Sequence, residues 1–236
     1  MKTIDINCDV GEGIENEHLL MPYISSCNIA CGGHFGDQFT IDKTIQLAID
    51  NNVKIGAHPS FPDKENFGRK IMDISDVELQ ESLILQMQLF KKRAALKNAI
   101  IHHVKPHGEL YNLIAVDQEK AILFVNAIQQ VFENVKVYVP FNSVMENVAL
   151  ENRIEIVYEA FADRNYNDNL TLVSRSLPYA VITDKAQVLR HVKMMNDESK
   201  VRTVTCSEIE IKADTFCVHG DHKNAIEILQ YLQENL

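Results

Sequence analysis

No stretch of the 236-residue sequence approaches the roughly 20 consecutive apolar residues that cross a bilayer, which argues against a membrane partner. The opening Met1-Lys2-Thr3-Ile4-Asp5-Ile6 lacks the charged, apolar and small-residue zones of a secretory signal and runs straight into a strand pattern, so a cytoplasmic location is expected. Cysteine is scarce: Cys8, Cys27, Cys31, Cys206 and Cys217 form an odd set without a regular framework, which fits reduced thiols rather than disulfides. A formal charge of -10 gives the chain no basic excess with which to displace counterions from a phosphate backbone, and nucleic acid is set aside. The sequence has no G-x-x-x-x-G-K-[ST], no strand-linked G-x-G-x-x-G and no G-x-S-x-G elbow, which removes support for the standard phosphate loops and for a serine hydrolase. With no internal repeat, low-complexity tract or linker, one domain over 1–236 is expected.

What the chain does have is a succession of short apolar runs. Thr3 to Cys8 alternates polar and apolar residues and reads as a first strand, followed by strands at Cys27 to Ala30, Val53 to Ala57, Ile100 to Val104, Val135 to Val139, Ile154 to Tyr158 and Thr215 to His219. Ser75 and Glu78 have capping-box spacing, and Leu79, Leu83, Met87, Phe90 and Ala94 mark the apolar stripe of a helix ending near Leu96. A last helix carries Ala225, Ile228, Leu229, Leu232 and Leu236. Extra β-like runs at 171–182 and 201–211 fit a hairpin or small added sheet. The alternation implies about seven β/α units, whether in an open sheet or a closed barrel.

Six of these runs end in dense polar clusters: N-C-D-V-G-E at 7–12, C-N-I-A-C-G-G-H-F-G-D at 27–37, G-A-H-P-S-F-P-D at 56–63, V-K-P-H-G-E-L-Y-N at 104–112, E-A-F-A-D-R-N-Y at 159–166 and C-V-H-G-D at 217–221. An open sheet would concentrate ligand contacts at one switch point, whereas a barrel gathers every C-terminal strand end on one rim, so the recurrence favours a barrel.

Within the clusters, Asp9 and Glu12 offer one carboxylate to act as a base and another to orient a proton or a metal, against a competing reading as a solvated turn. Cys27 and Cys31 read as small buried residues, because a structural zinc site needs four ligands and closer Cys pairs. His34 and Asp37 lie in a glycine-rich loop and read as functional, and Pro59 biases His58 towards an extended backbone over a pocket. Arg69 suits a carboxylate or phosphate through paired donors. Lys105 could polarise a carbonyl or neutralise an anion, and His107 could shuttle a proton, whereas His102 and His103 read as structural. Asp163 and Arg164 read as a rim ion pair that orients water and holds an anion. Asp221 reads as a cap for the last helix while His219 faces the pocket.

Taken in order, N-C-D-V-G-E-G, N-I-A-C-G-G-H-F-G-D, G-A-H-P-S-F-P-D, F-G-R-K, V-K-P-H-G-E-L-Y-N, E-A-F-A-D-R-N-Y, L-V-S-R and C-V-H-G-D resemble the LamB/YcsF family across nearly the whole chain. The resemblance implies an α/β fold, a seven-stranded β/α barrel similar to polysaccharide deacetylases. It also implies an ATP-dependent opening of the lactam 5-oxo-L-proline to L-glutamate, with ATP as co-substrate and with 5-oxoprolinase subunits B and C as partners. On that scheme Asp9 is the base, His34, His58 and His219 surround the reacting centre, and Lys105 faces developing negative charge, with Asp163 completing the catalytic set. Arg69 and Arg164 then hold substrate carboxylate or phosphate, and Glu12, Asn28, His107, Arg175 and Asp221 complete the substrate-binding set.

Two other readings stay open. One is a stand-alone metal-dependent deacetylase in which Asp9, His34 and His58 bind a divalent ion. The other is a non-catalytic subunit that binds the lactam, and homo-oligomerisation is open under each reading.

Overall fold

The computed structural model describes residues 4–236, so Thr3, the expected start of the first strand, lies outside the described residues. Successive strands β1 (Ile6–Val10), β2 (Ser26–Ala30), β3 (Lys54–His58), β4 (Ile101–Val104), β5 (Lys136–Pro140) and β6 (Ile156–Phe161) pair in parallel in that order. Next, β7 (Lys200–Arg202) and β8 (Glu208–Glu210) form a separate antiparallel ribbon, and β9 (Thr215–Cys217) returns between β6 and β1 to close a seven-stranded α/β barrel. The expected barrel and the expected strand count both hold.

Helices α1 (Glu17–Leu20), α2 (Gln38–Asp50), α3 (Asp76–Leu96), α4 (Gly108–Ile114), α5 (Gln118–Val131), α6 (Val144–Glu151), α7 (Lys185–Glu198) and α8 (Ala225–Asn235) connect the strands. α3 begins where the capping box predicts: Ser75 Oγ accepts from the Glu78 amide, and the Glu78 carboxylate accepts from the Ser75 amide at 3.2 Å. Such a cap contributes about 1 kcal/mol. The stripe Leu79, Leu83, Met87, Phe90 and Ala94 is fully buried, each large side chain stabilising by roughly 1.5–3 kcal/mol. Gln86 on the same helix turns its amide to the Ser60 backbone, accepting from N at 3.0 Å and donating to O at 2.9 Å, and so anchors the segment after β3.

The barrel interior is polar. Asn7 donates to Thr215 Oγ1 at 3.0 Å, Asn28 donates to Asn7 Oδ1 at 2.8 Å, and the His103 ring meets Asn28 Oδ1 at 2.6 Å and stacks on Tyr138. Residues between them on the strands, such as Cys8, Ile29, Ala57, Val104 and Val137, join the apolar core. That division follows from the two-residue period of a strand. His103 also explains Gly56, where a Cβ would come within 2.1 Å of its Nε2.

Three expectations on the fold need correction. β6 runs to Phe161 rather than ending at Tyr158, because Glu159 and Ala160 continue the ladder with Thr215 and Phe216. Of the two β-like stretches, 201–211 supplies most of the ribbon, while 171–182 stays a loop held by two isolated bridges, Arg164 with Val181 and Tyr166 with Leu172. Asp221 does not cap α8, whose N-cap is Asn224.

On α7, His191 lies among the buried Val188, Val192 and Met195, with Nε2 shut away from solvent. Burial pushes its pKa down to about 4 from 6.5. The unfolded chain therefore takes up a proton that the folded chain refuses until about pH 4, so stability is full above 6.5 and falls between 6.5 and 4. His191→Phe is expected to remove about 2 kcal/mol of the stability lost between pH 7 and 5. Urea unfolding at the two pH values checks this, and equal losses in both proteins would refute it.

Candidate active site

Beneath the C-terminal strand ends lies a buried charge cluster built on Lys105, the residue after β4. Its Nζ lies 2.9 Å from Asp9 Oδ1, 2.8 Å from Glu159 Oε1 and 3.1 Å from Cys217 Sγ, with Asn7 Oδ1 farther off at 3.4 Å. Asn28 adds a second donor to Asp9 Oδ1 at 2.8 Å. Burial alone would raise the Asp9 pKa, but His58 and Lys105 outweigh it and hold the carboxyl well below the usual range. Lys105 behaves conversely: burial opposes its charge, yet Asp9, Cys217 and Glu159 keep the ammonium firmly protonated.

Three imidazoles fill one side. His58, at the end of β3, directs Nδ1 to the Lys105 carbonyl at 2.7 Å and Nε2 towards Asp9 Oδ2 at 3.4 Å. His107 directs Nε2 to the Phe67 carbonyl at 2.9 Å, and its Nδ1 lies 3.0 Å from His58 Nε2 and 3.1 Å from Glu12 Oε1. His34 stacks on His107 with ring centroids 3.7 Å apart and reaches Glu12 Oε1 through Nε2 at 2.9 Å. Burial pushes the His34 pKa down to about 4 and also lowers that of His107. Against its own burial, Glu12 is held well below the usual carboxylate range by the His107 and His34 rings that face it. The turn that delivers His107 requires Gly108, whose φ is +56° and where a Cβ would meet the Gly68 carbonyl at 2.6 Å. Asp9, His58 and His107 each offer an atom suited to a metal within 4.8 Å of the others.

Opposite them, His219 Nδ1 lies 2.8 Å from Asp163 Oδ1, and the other Asp163 oxygen accepts the His219 amide at 3.0 Å. Asp163 is fully buried, which would raise its pKa, but His219 brings it down to about 2. A carboxylate that fixes one ring nitrogen leaves the other oriented for proton transfer. Asp9, Glu12, His58, Lys105, His107, Glu159 and His219 line a cavity of about 730 Å³, together with Arg69, Arg164, Arg175 and Asp221. At its mouth Arg69 pairs with Asp221, and Arg175 lies 3.8 Å from the same carboxylate.

The structure thus gathers thirteen of the fourteen sequence-predicted site residues in or beside one cavity, Asp37 being the exception, with changes in how several of them act. Asp163 pairs with His219 rather than with Arg164, whose Nη2 and Nε donate to the Val173 and Ala180 carbonyls at 2.6 and 3.2 Å and so clamp the 165–181 loop. Burial and the nearby Arg175 lower the Arg164 pKa to about 10. Asp37 is the N-cap of α2, accepting from the Thr40 amide at 2.9 Å, and takes no part in the pocket. His34 turns to Glu12 and not to Asp9, so the trio Asp9, His34 and His58 does not form one ligand set, and His107 replaces His34 in it. Sequence reasoning missed Glu159, Asn7 and Cys217, while His103, read as structural, holds the barrel interior. A glutamate inside an apolar strand run was the available signal for Glu159, since such a charge is buried only with a partner.

A closed parallel barrel with four buried carboxylates, four imidazoles and a buried lysine at its strand ends defines an α/β-barrel protein whose titratable groups gather at the C-terminal rim. The chain belongs to the LamB/YcsF family, whose sequence profile matches residues 4–236. It is 40% identical to a Campylobacter jejuni subsp. doylei protein named as the A subunit of 5-oxoprolinase, over 100% of this chain and 94% of that one. With a Shouchella clausii protein of the same name the identity is 39%, over 100% of this chain and 95% of the other. Among solved structures, the lactam utilization protein from Thermus thermophilus superposes with a TM-score of 0.91 at 32% identity, covering 98% of this chain and 95% of that one. A GH113 β-1,4-mannanase, at 13% identity and TM-score 0.54, shares the fold alone. Among the described residues no helix is long and apolar enough to cross a membrane.

Proposed function

We propose that this chain is the lactam-opening component of an ATP-dependent 5-oxoprolinase that converts 5-oxo-L-proline to L-glutamate together with subunits B and C. The observation that carries the reading is an ionised, cavity-lining Asp9 beside the His219–Asp163 dyad. Support comes also from the relatives named as the A subunit of 5-oxoprolinase and as a lactam utilization protein.

An unstrained amide resists water, so the lactam oxygen is first phosphorylated by ATP, releasing ADP. Asp9 then takes a proton from water as its oxygen bonds to C5. The C5–N bond breaks, with His219 giving the nitrogen its proton, and leaves an acyl phosphate that a second water hydrolyses to glutamate and phosphate. Arg69 and Arg175 at the mouth meet the substrate carboxylate or the phosphoryl group. Lys105 acts from below, its hydrogen bonds already committed to Asp9, Cys217 and the adjoining Glu159.

The test is 5-oxoproline conversion with ADP release followed, using the chain alone and then mixed with subunits B and C. Glutamate and ADP formed in equal amounts only in the mixture is the expected result. Turnover by the chain alone without ATP would replace this reading with an independent hydrolase, and no turnover in either sample would refute it.

A further inference from the structure

We infer that Asp9, His58 and His107 form a binding site for a divalent cation of the zinc class, with Glu12 beside its remaining position. The first argument is the direction of the lone pairs. His58 gives its Nδ1–H to the Lys105 carbonyl and His107 gives its Nε2–H to the Phe67 carbonyl, at 2.7 and 2.9 Å. A carbonyl can only accept, so each ring has its proton on the outer nitrogen and, when neutral, turns a bare nitrogen inward. Those two nitrogens are 3.0 Å apart and face Asp9 Oδ2 and Glu12 Oε1. An Asp9 oxygen and the two inward nitrogens therefore lie within 4.8 Å of one another, with Glu12 Oε1 beside the nitrogens. A metal-bound histidine is held in this way, with its far N–H on a carbonyl that fixes the tautomer.

Spacing is the second argument. Zinc bonds of 2.0–2.1 Å in a tetrahedral arrangement place neighbouring ligand atoms about 3.3 Å apart. Here His58 Nε2 lies 3.4 Å from Asp9 Oδ2 and 3.8 Å from Glu12 Oε1, and His107 Nδ1 lies 3.1 Å from Glu12 Oε1. Lys105 and Asn28 both bind Asp9 Oδ1, which leaves Oδ2 free for the cation.

Charge is the third. Among the described residues, Asp9, Glu12 and Glu159 are buried with Lys105 as their one fixed counter-charge, so two negative charges stand uncompensated when the imidazoles are neutral. Buried charge of that size is stable only when neutralised, and a divalent ion supplies the matching two positive charges. Three protein ligands with an open side is the arrangement of metal sites that bind water or substrate.

This inference shares Asp9 with the proposed reaction, but its test needs neither substrate nor partner subunits, so failure of one is distinguishable from failure of the other. The purified chain is stripped with a chelator, dialysed, and titrated with Zn²⁺ by calorimetry and with Co²⁺ by visible absorption. One equivalent of Zn²⁺ per chain and the intense d–d bands of four- or five-coordinate Co²⁺ are expected. His107→Gln and His58→Gln should each weaken Zn²⁺ binding by at least about 100-fold, whereas His102→Gln, on the neighbouring strand outside the cluster, should leave it unchanged. Circular dichroism establishes that each variant is folded. No stoichiometric binding by the wild-type chain would overturn the inference whatever the variants do, and so would binding that survives His58→Gln and His107→Gln combined.

Discussion

Lys105→Met is expected to destabilise the protein by about 3–5 kcal/mol and to lower turnover of the assembled enzyme by at least about 100-fold. The ammonium is 2% exposed and is the counter-charge to both Asp9 and Glu159, at 2.9 and 2.8 Å. Methionine fills nearly the same volume, so the loss arises from charge rather than from a cavity. Two buried carboxylates then remain without their counter-charge, and removing one partner of a buried ion pair costs far more than the pair itself contributes. Urea unfolding measures the effect, and a Lys105→Met chain within 1 kcal/mol of wild type would refute it. The double variant Lys105→Met/Glu159→Gln makes the origin testable, because it removes the stranded Glu159 charge as well. It should recover roughly half of the lost stability while turnover stays low, since Asp9 still lacks its cation. Recovery of neither would move the cause from charge to packing.

Lys105 also shows why the fold was legible in the sequence while part of the site was not. Strands of a parallel barrel usually read as continuous apolar runs, yet Asn7, Asn28, His103 and Glu159 break the pattern here because the interior is hydrogen-bonded. The interruptions left enough Val, Ile and Ala on the helix-facing side to locate every barrel strand, and the capping box and stripe placed α3 from Asp76 to Leu96. Local chemistry of this kind is written in neighbouring residues. The rim residues were recognisable for a related reason, since Asp, His and Arg at strand ends are seldom structural filler.

Pairings were another matter. Asp163 and Arg164 are adjacent in sequence, but successive residues diverge, and Asp163 finds His219 from a strand 56 positions away. Arg164 is drawn instead to the loop that folds back at 173–180. The metal reading grouped His34 with His58 and Asp9, whereas the stacking of His34 on His107 and the shared contact with Glu12 depend on how β4 lies beside β3. Register of this sort is a property of the closed barrel, and no spacing within one segment encodes it.

Asp9→Asn separates chemistry from architecture most sharply. Asparagine keeps the size of the side chain and one carbonyl oxygen that can still accept from Lys105 and Asn28, which donate to Asp9 at 2.9 and 2.8 Å. Lys105 retains Glu159, so the buried ammonium is not stranded and stability should stay within about 2 kcal/mol of wild type. Catalysis should not survive as well, because an amide oxygen cannot take a proton from water, and loss of a general base costs about 10²- to 10⁴-fold. Arg69 and Arg175 at the mouth are untouched, so on the proposed reaction kcat in a mixture with subunits B and C should fall while KM changes little. Steady-state kinetics of that mixture measure both parameters. Full activity would remove Asp9 from the base role and leave the His219–Asp163 dyad as the group that activates water. A raised KM with kcat intact would instead make Asp9 a binding group. The expected pattern, a stable chain with a slow chemical step, contrasts with the Lys105→Met pattern of instability and inactivity together, and that contrast distinguishes a residue that meets the substrate from one that holds such a residue in its charged state.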